Sequence, residues 1–329
     1  MEVMPRRNRP FALFALGLAG ALALAGCASA NAEEPDDGRI HVVASTNVYA
    51  QIAAEVGGDL VDATAIVSST AQDPHSFEPS ARDQLAVQRA DLIIENGGGY
   101  DPFLDALIEA SGSKAPVITA AEFSPDWPEN AGHDDEAAGS EAEGDHEHGD
   151  HEHVEGFNEH VWYDPHTVQH VAEGIAAELS ALVPAETSAI EARVTSFAAG
   201  IADLEASLAA IATDAAGADV FLTEPVALSL VEAAGLVNVA PEAFTEAVEE
   251  GQDVAPSTLL ESLKLLRSGD VRILIANSQT GGAETTEVIS EADSLSIPVI
   301  EFSETLPDRQ TYLSWMKANI EALAGALHP

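Results

Sequence analysis

His75, His160, Glu224 and Glu304 are the residues of this chain whose types and places suit one piece of chemistry, the holding of a cation. His75, Glu224 and Glu304 each follow a short apolar run read as a strand, and His160 follows a long acidic stretch. Loops beyond the carboxyl ends of parallel strands are where α/β folds build sites. Two neutral imidazoles from the first half of the chain and two carboxylates from the second would make a mixed nitrogen and oxygen site. Such a set suits a borderline divalent transition metal better than calcium or magnesium, which prefer oxygen alone. Spacing does not establish the set, since the four lie far apart in sequence, and a single loop histidine is more often solvated than ligating.

Those positions depend on the elements that carry them. Ile40 to Ala44 reads as a first strand, and Val48 to Val56 as a helix capped by Ser45 or Thr46 and closed by Gly57-Gly58. Val61 to Val67 reads as a second strand leading to His75; Arg82 to Ala90 reads as a helix, and Asp91 to Glu95 as a strand ending in the turn Asn96-Gly97-Gly98-Gly99. That turn lacks the Gly-Lys-Ser/Thr ending of a phosphate loop. Between Ala185 and Ala212, Ile190, Val194, Phe197, Ile201, Leu204, Leu208 and Ile211 recur at spacings of four and three. This pattern predicts one long amphipathic helix of roughly 40 Å. Alternation resumes over Asp219 to Leu222, Val226 to Ala234, Pro256 to Leu266, Val271 to Ile275, Thr285 to Ser294 and Pro298 to Phe302, with a final helix from Thr311 to Leu327. The fold class expected is α/β: two Rossmann-like lobes with parallel sheets, over 39–184 and 214–329, joined by a rigid linking helix over 185–213.

Composition narrows the partners. Of 329 residues, 46% are hydrophobic and 13 Lys+Arg face 56 Asp+Glu, for a formal net charge of -43. That surplus repels nucleic acid phosphates and anionic headgroups and favours cations. The single cysteine, Cys27, excludes an intrachain disulfide and any cysteine-rich zinc module. Residues 1–27 run from Arg6, Arg7 and Arg9 through an apolar stretch to Leu24-Ala25-Gly26-Cys27, which resembles the lipobox of bacterial lipoprotein precursors. Cys27 would then carry the lipid, 28–38 would be a flexible tether, and the protein would sit outside the cytoplasmic membrane, anchored to its outer face. A plain export signal with an incidental cysteine is the alternative. Residues 130–156 contain almost no hydrophobic side chains but hold His133, His146, His148, His151 and His153. The alternation of potential ligands over 145–153 favours an accessory, metal-capturing loop over a merely solvated insertion. Exposed imidazoles would lose such a cation as pH falls through ~6.5.

Asp73-Pro74-His75-Ser76-Phe77-Glu78-Pro79-Ser80 resembles the DPHxxEPS element of the zinc/manganese ABC-transporter solute-binding proteins. The resemblance extends over nearly all of residues 40–327, including Ala90-Asp91-Leu92-Ile93, Asn158-Glu159-His160-Val161-Trp162, Asp164-Pro165 and the long helix. It implies His75 and His160 as the first two metal ligands. It places Glu224, in Thr223-Glu224-Pro225, at the third, where many zinc members have histidine and manganese members glutamate. Glu304, in Phe302-Ser303-Glu304, falls at the fourth, where relatives usually have aspartate. A His2Glu2 shell is harder than His3Asp and tolerates manganese, whereas the histidine loop is typical of the zinc-specific branch. The resemblance thus implies a monomeric, non-enzymatic receptor for Zn2+, with Mn2+ as the alternative, delivering the ion to an ABC permease. A secreted metalloenzyme is the rival, yet neither HExxH nor a Ser/His/Asp motif is present; a surface adhesin is the third possibility. Trp162 is expected to shield the site or to fill the core, and Asn277 to Gly282 to line the cleft or form a plain turn. His41, His166, His170 and His328 match no motif.

Overall fold

Short apolar runs that alternate with amphipathic segments form two α/β lobes in the computed structural model, which describes residues 38–130, 154 and 156–328. The first lobe runs β1 (Ile40–Thr46), α1 (Asn47–Gly57), β2 (Val61–Val67), α2 (Ala81–Gln88), β3 (Leu92–Glu95), α3 (Pro102–Ser111), β4 (Val117–Thr119) and α4 (Pro165–Leu182). After α5 (Thr187–Ala215), the second lobe runs β5 (Asp219–Leu222), α6 (Leu228–Ala233), β6 (Val237–Asn238), α7 (Glu242–Glu249), α8 (Pro256–Leu266), β7 (Ile273–Asn277), α9 (Ala283–Ser294), β8 (Val299–Phe302) and α10 (Tyr312–Leu327). Every strand pair is parallel, and the two sheets repeat one order, β2-β1-β3-β4 and β6-β5-β7-β8.

Side chains alternate across a strand, so a sheet buried on both sides reads as an unbroken apolar run. Ile40, Val42 and Ala44 of β1, with Leu92 and Ile94 of β3, face a large shared core, while Val43 and Ile93 face a smaller one against α3. The second lobe repeats the device: Val220, Leu222, Ile273 and Ile275 join the shared core, and Phe221, Leu274 and Ala276 turn to the other side. Because one core draws residues from both lobes, the two cannot separate without exposing it.

The linking helix α5 closes that core. Ile190, Phe197, Ile201, Leu204, Leu208 and Ile211 are buried and Val194 is half-buried, so the stripe expected from spacing faces protein along its whole length. It packs on α1 and α4 of the first lobe and on α6 and α10 of the second. Polar pairs add to the seam: Asn47 Nδ2 donates to Leu306 O (2.8 Å) while Asn47 Oδ1 accepts from Leu306 N–H (2.8 Å). Tyr312 Oη donates to Trp162 O and Tyr163 Oη to Ser303 O, both at 2.8 Å.

Local details depart from expectation, at element ends above all. Thr46 holds the N-cap position of α1, but its buried side chain makes no cap hydrogen bond. Helix α2 starts at Ala81 because Ser80 and Asp83 close a reciprocal capping box. Strand β7 lies two residues later than the apolar run suggested, because its ladder with β8 continues to Asn277 opposite Phe302. Cys27 and the loop histidines His133, His146, His148, His151 and His153 lie outside the described residues.

Candidate metal centre

Both sheets change strand direction of progression beside their central strands, β1 and β5, and the residues of interest gather beyond the carboxyl ends there. Asp73 shapes the loop after β2: Oδ1 accepts the His75 N–H (2.9 Å) and Oδ2 the Ser76 hydroxyl (2.8 Å), turning the His75 ring inward. Tyr100 follows the glycine turn after β3, and His160 stands just ahead of the turn Val161–Tyr163 that leads to α4. From the second lobe, Glu224 follows β5, Asn277 ends β7 and Glu304 follows β8.

His75, His160 and Glu304 converge, with one ligand atom from each lying within 4.8 Å of the others. His75 Nε2 stands 3.7 Å from Glu304 Oε2, near the ~3.4 Å edge between two ligands of a tetrahedral zinc. Glu304 is fully buried and His160 almost so. The tautomer of His160 follows from its neighbour. Asn158 Nδ2 donates to Pro225 O (3.2 Å), which turns Oδ1 toward His160 Nδ1 at 2.9 Å. With the proton on Nδ1, the lone pair resides on Nε2, the arrangement typical of a metal-binding imidazole. Trp162 is wholly buried and so fills the core, and its ring meets that of His160 at 5.2 Å.

Glu224 stands one hydrogen-bond step from the converging set. Asn277 Nδ2 donates to Glu224 Oε2 (2.9 Å) and to Glu304 Oε1 (2.7 Å), so a single amide joins the two carboxylates. Thr280 also donates to Glu224. Gln279 fixes the chain on either side, its Oε1 accepting from Glu304 N–H (2.7 Å) and its Nε2 donating to Gln72 O (2.8 Å) across the cleft. The segment from Asn277 therefore lines the site rather than forming a plain turn.

Three site residues stand outside the four expected ligands. Tyr100 donates to Glu304 Oε2 (3.0 Å) and sets its ring edge-on to His75, with centroids 4.8 Å apart. Glu159 Oε1 lies 3.4 Å from His75 Nδ1, and Glu249, at the end of α7, reaches 3.8 Å from His160 Nδ1. His75, Glu159 and Glu249 make a second group whose ligand atoms lie within 4.8 Å of one another. Adjacency to His160 could have pointed to Glu159, and the turn after β3 to Tyr100; nothing in the sequence marks Glu249.

So many acids in one place repel. Burial pushes Glu304 up to about 7, with Glu224 adding to the rise and Asn277 opposing it. Burial also raises Glu224, against the hydrogen bonds of Thr280 and Asn277. Glu249 is pushed up to about 8, first by burial and then by Glu159, Glu224 and Glu304. A divalent cation at the centre would supply a countercharge to this cluster. His41, His166, His170 and His328 lie elsewhere, on or near the surface.

A family model described as the periplasmic zinc-uptake complex component A matches residues 42–326. The manganese ABC transporter substrate-binding lipoprotein PsaA of Streptococcus anginosus is 37% identical over 76 residues, 23% of this chain and 24% of that protein. The aligned part is thus about a quarter of that curated relative's length. Among solved structures, the periplasmic zinc binding protein TroA from Treponema pallidum superposes with a TM-score of 0.67 at 16% identity, covering 89% of this chain and 100% of that one. FpvC from Pseudomonas aeruginosa in complex with Mn2+ gives 0.66 at 20% identity, over 88% and 98% of the two chains. At such identities these superpositions bear on fold.

Proposed function

Because the chain belongs to the periplasmic zinc-uptake complex component A family, we propose that it is the extracytoplasmic solute-binding component of a metal ABC importer. It takes a divalent transition metal as cargo between its lobes and delivers it to the membrane permease. The observation that carries this reading is the convergence of His75, His160 and Glu304 from two lobes into one buried cluster. Glu224, beside Glu304 on the shared Asn277 amide, completes a four-residue set when the cation draws it in. Zinc is the favoured cargo: two imidazoles suit it, and the histidines of 130–156 form an accessory capture loop. Manganese is the alternative, supported by the two glutamates of the set. The protein acts as a monomer and not as an enzyme, since a filled His2Glu2 shell leaves no open position for substrate. Residues 1–27 are the leader, Cys27 carries the lipid, 28–38 tether the lobes 39–184 and 214–329, and α5 spans the region 185–213 between them.

Elemental analysis with chelator competition on purified, metal-stripped protein tests this. One tightly held ion per chain is expected, lost in His75→Ala and in His160→Ala and kept when 133–155 are deleted. Retention of the ion in His75→Ala, with its loss in the deletion, would overturn the assignment.

A further inference from the structure

Building on the cation-receptor reading, we infer that His75, Glu159 and Glu249 form a second, outer cation position through which a divalent metal passes on its way to and from the inner cluster. The ring of His75 stands between the two groups. Its Nε2 faces Glu304 (3.7 Å), and its Nδ1 faces Glu159 (3.4 Å). One imidazole can therefore serve each position in turn.

Exposure orders the two positions along a path. The inner pair His160 and Glu304 are 1% and 0% exposed; of the outer group Glu159 is buried too, its side chain 4% exposed, whereas the His75 and Glu249 side chains are 17% and 19% exposed and give that group its opening to water. A cation arriving from water meets Glu249 and His75 before it can reach Glu304. Like the inner cluster, the outer one draws on both lobes, with Glu159 from the first and Glu249 from the end of α7 in the second. Its chemistry differs: one nitrogen and two carboxylates make a harder, more loosely enclosed site than the inner one. That combination suits brief capture of a hydrated divalent ion and its transfer inward to two imidazoles. Glu249 also touches the destination, lying 3.8 Å from His160, so the step between positions is short.

Glu249 is thus a positioning and capture residue, and kinetics separate that role from ligation in the final site. Zinc chloride at micromolar concentration is mixed with metal-free protein at pH 8.5, where Glu249 is ionised, in a stopped-flow instrument, and release is followed with a chromogenic chelator. Glu249→Gln is expected to slow association and release alike by about tenfold, leaving the dissociation constant within about threefold of wild type. Glu249→Asp, which keeps the charge, should recover part of the rate. Wild-type rates in Glu249→Gln would overturn the outer position, as would a weakened dissociation constant with unaltered association. Failure of the wild type to bind either zinc or manganese would instead sink the receptor reading beneath it. Removing a crowded like charge does not endanger folding, and thermal unfolding of the metal-free variant checks this.

Discussion

Asn277 does at the scale of one residue what the site needs most: it holds two acids side by side. Its Nδ2 donates to both Glu224 and Glu304, and with Thr280 on the first and Tyr100 on the second it eases their mutual repulsion. Groups that orient metal ligands in this way are worth ~10–100-fold in affinity. Asn277→Ala should weaken zinc binding within that range while leaving the fold intact, as read by chelator competition and circular dichroism; unaltered affinity would mean that the carboxylates orient themselves. Tyr100→Phe removes one donor from Glu304 and should weaken binding by less. Part of this site is legible in sequence. His75, Glu224 and Glu304 occupy strand-end loops, where an α/β fold gathers function, and the same rule reaches Tyr100. Asn277 belongs to the strand itself, because backbone pairing rather than apolar content decides where β7 stops. Glu249 owes its place to how α7 packs against the second sheet, and no local pattern encodes a helix end's direction.

Elements are legible where burial is one-sided and long, as α5 illustrates. Its four-and-three stripe is the trace of one face pressed against two lobes at once, and the buried residues are those the spacing selects. Leu204, 4% exposed in mid-helix, should cost ~2–5 kcal/mol when cut to alanine, whereas Thr195→Ala on the exposed face should be near neutral; urea unfolding measures both. An equal effect at the two positions would contradict the packing described. Ser80→Ala, which opens the capping box of α2, should cost ~1 kcal/mol by the same measurement. Strands β4 and β6, of three and two residues, carry too little pattern to be read, and they exist because a neighbouring strand offers a free edge. The doubled sheet order is likewise invisible locally: apolar runs announce parallel strands but not which strand lies beside which.

At the scale of the whole molecule the dominant fact is charge, with a formal net of -43 and several acids buried rather than solvated. Burial pushes Asp101 up to about 6, even though it accepts from Asn96 N–H (2.6 Å) and Gly97 N–H (2.8 Å). Glu304 stands at about 7 and Glu249 at about 8. Each of these carboxyls holds its proton more tightly folded than unfolded, so each contributes stability that is full below pH ~4 and lost as pH rises through its folded value. The window therefore runs from pH ~4, where the unfolded carboxyls ionise, to pH ~8, where Glu249 does so in the folded chain, and the sign is opposite to that of a salt-bridged acid. Metal-free protein should melt at a lower temperature at pH 8.5 than at pH 5.5, by about 5 °C or more given ~2–4 °C per kcal/mol for a chain of this order. Bound zinc reverses the slope, because the cation replaces the protons and competes with them less as pH rises. Calorimetric scans of stripped and loaded protein across that window check both signs. Glu249→Gln should flatten the metal-free profile near pH 8, which separates the site's contribution from the general repulsion of an acidic chain. A metal-free melting temperature that climbed with pH would show that the buried acids are ionised and paired, and the cluster would then need no cation to neutralise it.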